Sequence, residues 1–107
     1  DWGWAPDYVD AMWRIIQQPN ADDFVIATGK TISLVQFVEK VFTFFDLNWK
    51  DHVDVDESLL RPSDIKFSKG DPTKAKKILD WKAKKNVDDV INELCFFAKQ
   101  NFEKTTK

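Results

Sequence analysis

An apolar stripe between residues 34 and 45 gives the strongest periodic signal in the sequence. Its members recur every three or four positions, which is the spacing that places side chains on one face of an α-helix. Ser33 precedes the stripe and is a preferred helix N-cap residue. The pattern predicts a helix that begins after Ser33 and turns these side chains toward the core: Leu34, Phe37, Val38, Val41, Phe42 and Phe45.

Caps and apolar spacing predict three further helices. The first enters at Pro6 and ends within residues 17–20, because proline is favoured in a first turn and Gln-Gln-Pro-Asn breaks the pattern. Another opens with Asp-Pro at 71–72 and closes at Asp80. The last follows Asn86, a favoured cap residue.

Short segments bounded by turn residues predict strands between these helices. Residues 23–29 are typical of a buried strand, and residues 52–55 and 65–67 alternate as exposed strands do. A chain of 107 residues is one domain by length. The predicted fold class is therefore α+β, with about four helices and short strands in the order α-β-α-β-β-α-α.

The chain offers few groups for catalysis or metal binding. The only cysteine, Cys95, falls within a helical apolar pattern, and the only histidine, His52, lacks partners for a metal site. Three scattered glycines are too few for a dinucleotide-binding loop, and four residues after Tyr8 stands Met12, where dehydrogenase catalysis needs lysine. We expect no catalytic residue, metal or cofactor on this chain itself.

Charge divides the chain into two halves. Residues 1–57 carry eleven acidic and four basic side chains, whereas residues 58–107 carry seven acidic and twelve basic ones. Eight lysines crowd into residues 66–85, but the whole chain has a net charge of −2. We interpret the cluster as a solvated face and expect no nucleic-acid partner. No apolar run approaches the ~20 residues of a membrane helix, so we expect no membrane association and a cytoplasmic location.

Residues 59–72 lie where the charge changes sign. Pro62 has a fixed φ and disfavours the α region for Arg61, so Arg61 and Asp64 project from a stiff, non-helical segment. A guanidinium and a carboxylate three residues apart can grip a ligand that carries phosphate and hydroxyl groups. The alternative is a surface turn with an ion pair that contributes about 0–1 kcal/mol. The spacing alone leaves both interpretations open.

Four stretches of the sequence, taken together, are similar to one known family. In order they are DWGWAPDYVDAMW at 1–13, DFVIATG at 23–29, RP at 61–62, and GDPTKA at 70–75 with Trp81. Over the chain to about Leu94 they resemble the C-terminal part of the GDP-mannose 4,6-dehydratases, which are extended short-chain dehydrogenase/reductases.

This resemblance implies a parent enzyme with two domains. The parent is expected to be a lyase that converts GDP-mannose to GDP-4-keto-6-deoxymannose, and a cytoplasmic homo-oligomer. Its Rossmann domain, which this chain lacks, is expected to bind NADP and to carry the catalytic residues. Residues 1–107 correspond to the C-terminal substrate-binding domain, which closes over the GDP-sugar.

The resemblance also assigns two site residues. In the family the arginine of the Arg-Pro pair contacts the diphosphate side of the substrate, and an acidic residue three positions later holds ribose hydroxyls; these positions are Arg61 and Asp64 here. Asp64 is one methylene shorter than the usual glutamate. Trp4 stands where many members have histidine, and Asp80 where a glycine commonly ends the helix.

Two other functions fit the same sequence. The first is the substrate lobe of another NDP-sugar dehydratase or epimerase. This alternative applies if the departures at Trp4 and Asp64 change which nucleotide sugar is bound. A non-catalytic interaction module that docks through Trp2 and Trp4 is the alternative from a different functional class.

Overall fold

The computed structural model describes residues 1–106, which form four α-helices joined by long connections. Two short 3-10 helices, Trp49–Asp51 and Glu57–Leu59, interrupt the longest connection. The α-helices are α1 (Ala5–Ile16), α2 (Leu34–Phe44), α3 (Thr73–Leu79) and α4 (Val87–Thr105).

The predicted strands are absent from residues 1–106, so the α+β class is wrong and the described chain is a helical fragment. Residues 23–29 do alternate, with Phe24 and Ile26 packed against the core, but no second strand pairs with them. Residues 52–55 and 65–67 are turn or irregular backbone and are largely exposed. A β-branched composition favours extended backbone, whereas a strand also needs the hydrogen bonds of a neighbour.

Capping boxes confirm the predicted starts of α2 and α4. The Ser33 Oγ accepts a hydrogen bond from the Gln36 N–H at 3.1 Å, and the Gln36 Oε1 accepts one from the Ser33 N–H at 2.9 Å. Asn86 and Asp89 form the same reciprocal pair at 2.9 and 3.0 Å. Each box satisfies backbone donors that the first helical turn leaves without partners.

A small core holds α1 against α3. Ala11 and Ala75 are completely buried, and their small side chains allow the two helices to approach closely. Trp81 follows α3, is 1% exposed and donates its Nε1–H to the Asp7 carbonyl at 2.9 Å. The indole therefore fills the core while its one polar group stays hydrogen bonded.

The apolar stripe of α2 is less buried than predicted. Helix α2 packs against α4, where Val90, Ile91 and Cys95 are buried, but no residue of α2 itself is buried. Leu34, at the start of the stripe, is 64% exposed. The structure is only 18 Å thick across a 52 × 42 Å face, and one partner helix cannot cover the whole stripe.

The end of α3 confirms that Asp80 occupies a left-handed helix-ending position. Its φ and ψ are 50° and 36°, a region that favours glycine but is open to aspartate. Arg14 on α1 donates from Nη1 to the carbonyls of Leu79 and Asp80 at 3.1 and 3.0 Å. These contacts satisfy the last carbonyls of α3 and join it to α1.

Candidate functional site

The carboxylate of Asp1 joins two connections that are far apart in the sequence. Its Oδ1 accepts hydrogen bonds from the Thr28 N–H at 2.9 Å and the Thr28 hydroxyl at 2.7 Å. Its Oδ2 accepts from the N–H groups of Gly29 at 2.9 Å and Gly70 at 3.2 Å. Asp1 thereby holds the 28–29 segment beside Gly70, and so positions the end of the 59–72 stretch.

Gly70 allows this close approach of two backbone segments. A Cβ at this position would lie 2.3 Å from the Ala27 Cβ, well inside van der Waals contact. Close by, the Thr31 hydroxyl donates to the Ser68 carbonyl at 2.5 Å. Residues 68–70 are therefore held against residues 27–31.

An open cleft of about 580 Å³ lies at this junction. Residues 65–68 form one wall, and Asp1, Trp2, residues 31–34 and Gln36 form the other. The Trp2 ring packs against Phe37 at a tilt of 33° with centroids 4.5 Å apart, and its Nε1–H donates to the Ile32 carbonyl at 3.2 Å. The volume is in the range of small-molecule sites, about 300–1,000 Å³.

Arg61 and Asp64 lie immediately before the cleft wall but do not line the cleft. Their side chains are 78% and 65% exposed, and the Arg61 Nε is 4.0 Å from the Asp64 Oδ2. The Asp64 Oδ1 accepts a hydrogen bond from the Ile65 N–H at 2.8 Å, while Oδ2 faces the guanidinium. The structure thus brings the two predicted residues together at the surface, and leaves the guanidinium open to a ligand.

A buried carboxylate at Asp7 was missed by the sequence prediction. Asp7 lies in the first turn of α1 and is 6% exposed, and its Oδ2 accepts hydrogen bonds from the N–H groups of Lys84 and Lys85 at 3.0 and 3.1 Å. The sequence prediction also missed the role of Asp1, whose hydrogen-bond partners lie 27 to 69 positions away in the sequence. No local pattern reveals such contacts.

Two carboxyls that contact the first turn of α3, those of Asp71 and Asp22, have lowered pKa values. The Thr73 hydroxyl and N–H donate to Asp71, and these hydrogen bonds lower the pKa of the Asp71 carboxyl. Asp71 precedes Pro72, and α3 begins at Thr73, one residue later than predicted. The Lys74 ammonium likewise hydrogen bonds Asp22 at 2.9 Å and lowers its pKa.

Trp4 is engaged within the chain. The Lys85 Nζ lies 4.7 Å from the centroid of the Trp4 ring, and the same ammonium pairs with Glu93. A cation over the indole face is a favourable contact. Helix α1 and the start of α4 are therefore linked through Trp4.

Cys95 is buried, and His52 is stacked on an aromatic ring. Cys95 is buried, and this burial raises the pKa of its thiol, which disfavours the reactive thiolate. The His52 ring stacks on Phe42 with centroids 5.6 Å apart. Among residues 1–106, no three His, Cys, Asp or Glu side chains are grouped as metal ligands would be. No helix in this range has both the length and the apolar character needed to cross a bilayer.

Comparison of the sequence with known proteins shows the family to which it is related. The sequence matches the family model described as GDP-mannose 4,6 dehydratase over residues 1–94. It is 43% identical over 91 residues to GDP-mannose 4,6 dehydratase 1 of Arabidopsis thaliana, an alignment that takes in 85% of this chain and 25% of that protein. It is 40% identical to the GDP-mannose 4,6 dehydratases of Homo sapiens and Dictyostelium discoideum, with 88% of this chain aligned to 30% and 31% of those proteins.

The chain thus spans about a quarter to a third of the length of the curated relatives it matches. The resemblance found in the sequence motifs is confirmed, including its extent to about Leu94. The chain belongs to the GDP-mannose 4,6-dehydratase family.

Proposed function

We propose that this chain is the GDP-mannose-binding lobe of a GDP-mannose 4,6-dehydratase, a lyase that makes GDP-4-keto-6-deoxymannose. The family match over residues 1–94 carries the proposal. The exposed pair of Arg61 and Asp64 supports it, because these residues directly precede residues 65–68, which form one wall of the 580 Å³ cleft.

The two side chains suit the two polar parts of a nucleotide sugar. The Arg61 guanidinium can donate two parallel hydrogen bonds to diphosphate oxygens, a geometry that a lysine cannot reproduce. The Asp64 Oδ2 can accept from a ribose hydroxyl while Oδ1 stays bonded to the Ile65 N–H. In this arrangement the weak Arg61–Asp64 ion pair gives way to contacts with the ligand.

The remaining chemistry belongs to parts of the enzyme outside residues 1–107. In this proposal a Rossmann domain binds NADP and carries the residues for oxidation, elimination and re-reduction of the hexose. The complete enzyme is a cytoplasmic homo-oligomer, and this chain supplies substrate contacts and no catalytic group.

The test uses a complete enzyme in which this chain is joined to the Rossmann domain of its own parent protein. With GDP-mannose and NADP we expect the 4-keto-6-deoxy product, detected by mass spectrometry. Turnover of a different nucleotide sugar, with none of GDP-mannose, would contradict the proposal.

A related NDP-sugar dehydratase or epimerase is the second candidate. It is favoured by the shorter acid at Asp64 and by Trp4, whose ring packs under Lys85. A panel of UDP-, CDP- and dTDP-sugars offered to the complete enzyme separates the two candidates. An interaction module that docks through Trp2 and Trp4 is less well supported, because Trp4 is already engaged by Lys85 and Trp2 by Phe37.

A further inference from the structure

The second half of helix α4 extends beyond the buried part of the structure. Cys95 is buried, whereas every residue from 96 to 106 is exposed. The last ten residues of the helix, 96–105, span about 15 Å, and we call them the α4 extension. In proteins most of the stability of a helix comes from the packing of its apolar face. The extension therefore needs a surface that covers it.

The apolar stripe of α4 continues along this extension. Ile91, Cys95, Ala98 and Phe102 follow one another at intervals of four, three and four residues, and this spacing places them on one face of the helix. Ile91 and Cys95 are buried, whereas Phe102 is 70% exposed. The face that joins α4 to the core thus continues into solvent.

The chain as a whole exposes more surface than a compact monomer of its size. Its accessible surface is 8809 Å², against about 6,200 Å² expected from its mass. The excess is larger than the area that one partner loses in a standard protein interface, about 800 Å². Part of this surface is therefore available to a partner.

The side chains of the extension complement those of a second copy. When two extensions run antiparallel about a twofold axis near residue 100, Ala98 of one copy lies opposite Phe102 of the other, and the contact occurs twice. The small Ala98 side chain leaves room for the Phe102 ring. On one flank of the same face, Lys99 of each copy lies near Glu103 of the other. Neither charge makes an ion pair within residues 1–106.

We propose that the α4 extension pairs antiparallel with the same segment of a second copy of this chain. Phe102 and Ala98 form the centre of the contact, and Lys99 and Glu103 form its flank. The family model matches residues 1–94, so the shared family fold does not account for the extension. Two ten-residue segments cover less than the about 1,200 Å² of a stable complex, so the dimer is weak and depends on concentration. The inference does not rest on the proposed function, because it uses no residue of the proposed nucleotide-sugar site.

Analytical ultracentrifugation of the 107-residue chain from about 1 μM to about 1 mM measures the association. Phe102→Ala should raise the Kd of the dimer about tenfold or more, because it removes the aromatic group at both symmetry-related contacts. The matched control is Phe96→Ala, at a phenylalanine of the same helix that is 56% exposed but lies off the stripe, and it should change Kd less than about twofold. Circular dichroism at the lowest concentration checks that both variants keep the monomer fold.

A charge exchange between chains tests the antiparallel register. Lys99→Glu places two acids on the flank and Glu103→Lys places two bases there, so each variant alone should associate about threefold or more weakly than the parent chain. An equimolar mixture of the two variants should recover the affinity, because each acid then faces a base of the other chain. A contact within one helix cannot produce this recovery, since the two changes are on different chains.

Three results would overturn the proposal. The first is a monomer over the whole concentration range. The second is an equal loss in Phe96→Ala, which indicates non-specific apolar association, and the third is a mixture that associates no better than its components. Vesicles of anionic lipid provide the remaining comparison. Binding to them by a chain that stays monomeric would assign the extension to a lipid surface instead.

Discussion

Asp7 and Lys84 are 77 positions apart in the sequence, yet the Asp7 carboxylate accepts the Lys84 backbone N–H at 3.0 Å. The same oxygen accepts the N–H of Lys85, and the Asp7 carbonyl accepts the Trp81 indole N–H. The first turn of α1 therefore organises the connection between α3 and α4.

Asp7→Ala should lower the free energy of unfolding by about 2–3 kcal/mol, since it leaves two backbone donors without an acceptor at a site that is 6% exposed. Urea denaturation followed by tryptophan fluorescence measures the change. Asp88→Ala is the control, because its ion pair with Lys40 is at the surface and contributes about 0–1 kcal/mol. Equal losses in the two variants would contradict a special role for Asp7.

Asp80→Gly should raise the free energy of unfolding by about 0.5–1 kcal/mol, because glycine adopts a φ of 50° without the crowding of a Cβ. Thermal denaturation by circular dichroism measures the gain as a higher Tm. The matched change, Asp88→Gly, places glycine inside the first turn of α4 and should instead be destabilising by about 1 kcal/mol. A loss of stability at position 80 would show that the carboxylate makes a contact that outweighs the strain.

The helices could be predicted from sequence because their signals are local. Ser33 and Asn86 lie three residues from the side chains that complete their capping boxes, and Asp80 lies at the end of its own helix. The strand predictions were wrong because a strand depends on a partner that residues 23–29 do not have. The buried contacts of Asp7 likewise depend on the whole fold. Pairing of Arg61 with Asp64 follows from their spacing, whereas their position relative to a cleft does not.

Gly70→Ala should lower the free energy of unfolding by about 1–3 kcal/mol, because the new Cβ would lie 2.3 Å from the Ala27 Cβ and force the backbones apart. Separation at this point also lengthens the hydrogen bond from Gly70 to Asp1, so residues 65–70 should exchange amide protons faster. Ser68→Ala, nearby and exposed, should stay within about 0.5 kcal/mol of the parent chain. Urea denaturation with hydrogen exchange measures both effects, and an unchanged Gly70 variant would place the two segments further apart than described.

Acid should destabilise the chain through Asp22 and Asp71. Hydrogen bonds from Lys74 and Thr73 lower the pKa of these carboxyls in the folded state, so each favours folding above the unfolded-state pKa of about 3.9. That contribution is lost as the pH falls through the lower, folded-state pKa. The free energy of unfolding, measured from pH 7 to pH 2, should therefore be constant near neutrality and decrease below about pH 4.

The double variant Asp22→Asn with Asp71→Asn should flatten this acid limb, since neither amide titrates. Asp54→Asn, at an exposed position without an ion pair in the described residues, is the control and should keep the decline. An unchanged slope in the double variant would assign the acid sensitivity to other carboxylates.

Arg61→Ala in the complete enzyme should raise KM for the GDP-sugar by about thirtyfold or more, which corresponds to at least about 2 kcal/mol of lost affinity for a buried charge contact. The reason is that the guanidinium, 78% exposed in the free chain, becomes covered when it meets the diphosphate. Steady-state kinetics with GDP-mannose measures the change. Arg61→Lys should recover only part of the affinity, because a lysine keeps the charge but loses the paired hydrogen bonds.

The controls for Arg61 separate ligand contact from local structure. Lys50→Ala removes an exposed cation that does not line the cleft and should leave KM unchanged. Asp64→Glu lengthens the acidic side chain by one methylene and should keep or lower KM if that side chain meets the ribose. If Arg61→Ala leaves KM unchanged, the pair is a surface turn, and its 4.0 Å contact with Asp64 has only a structural role.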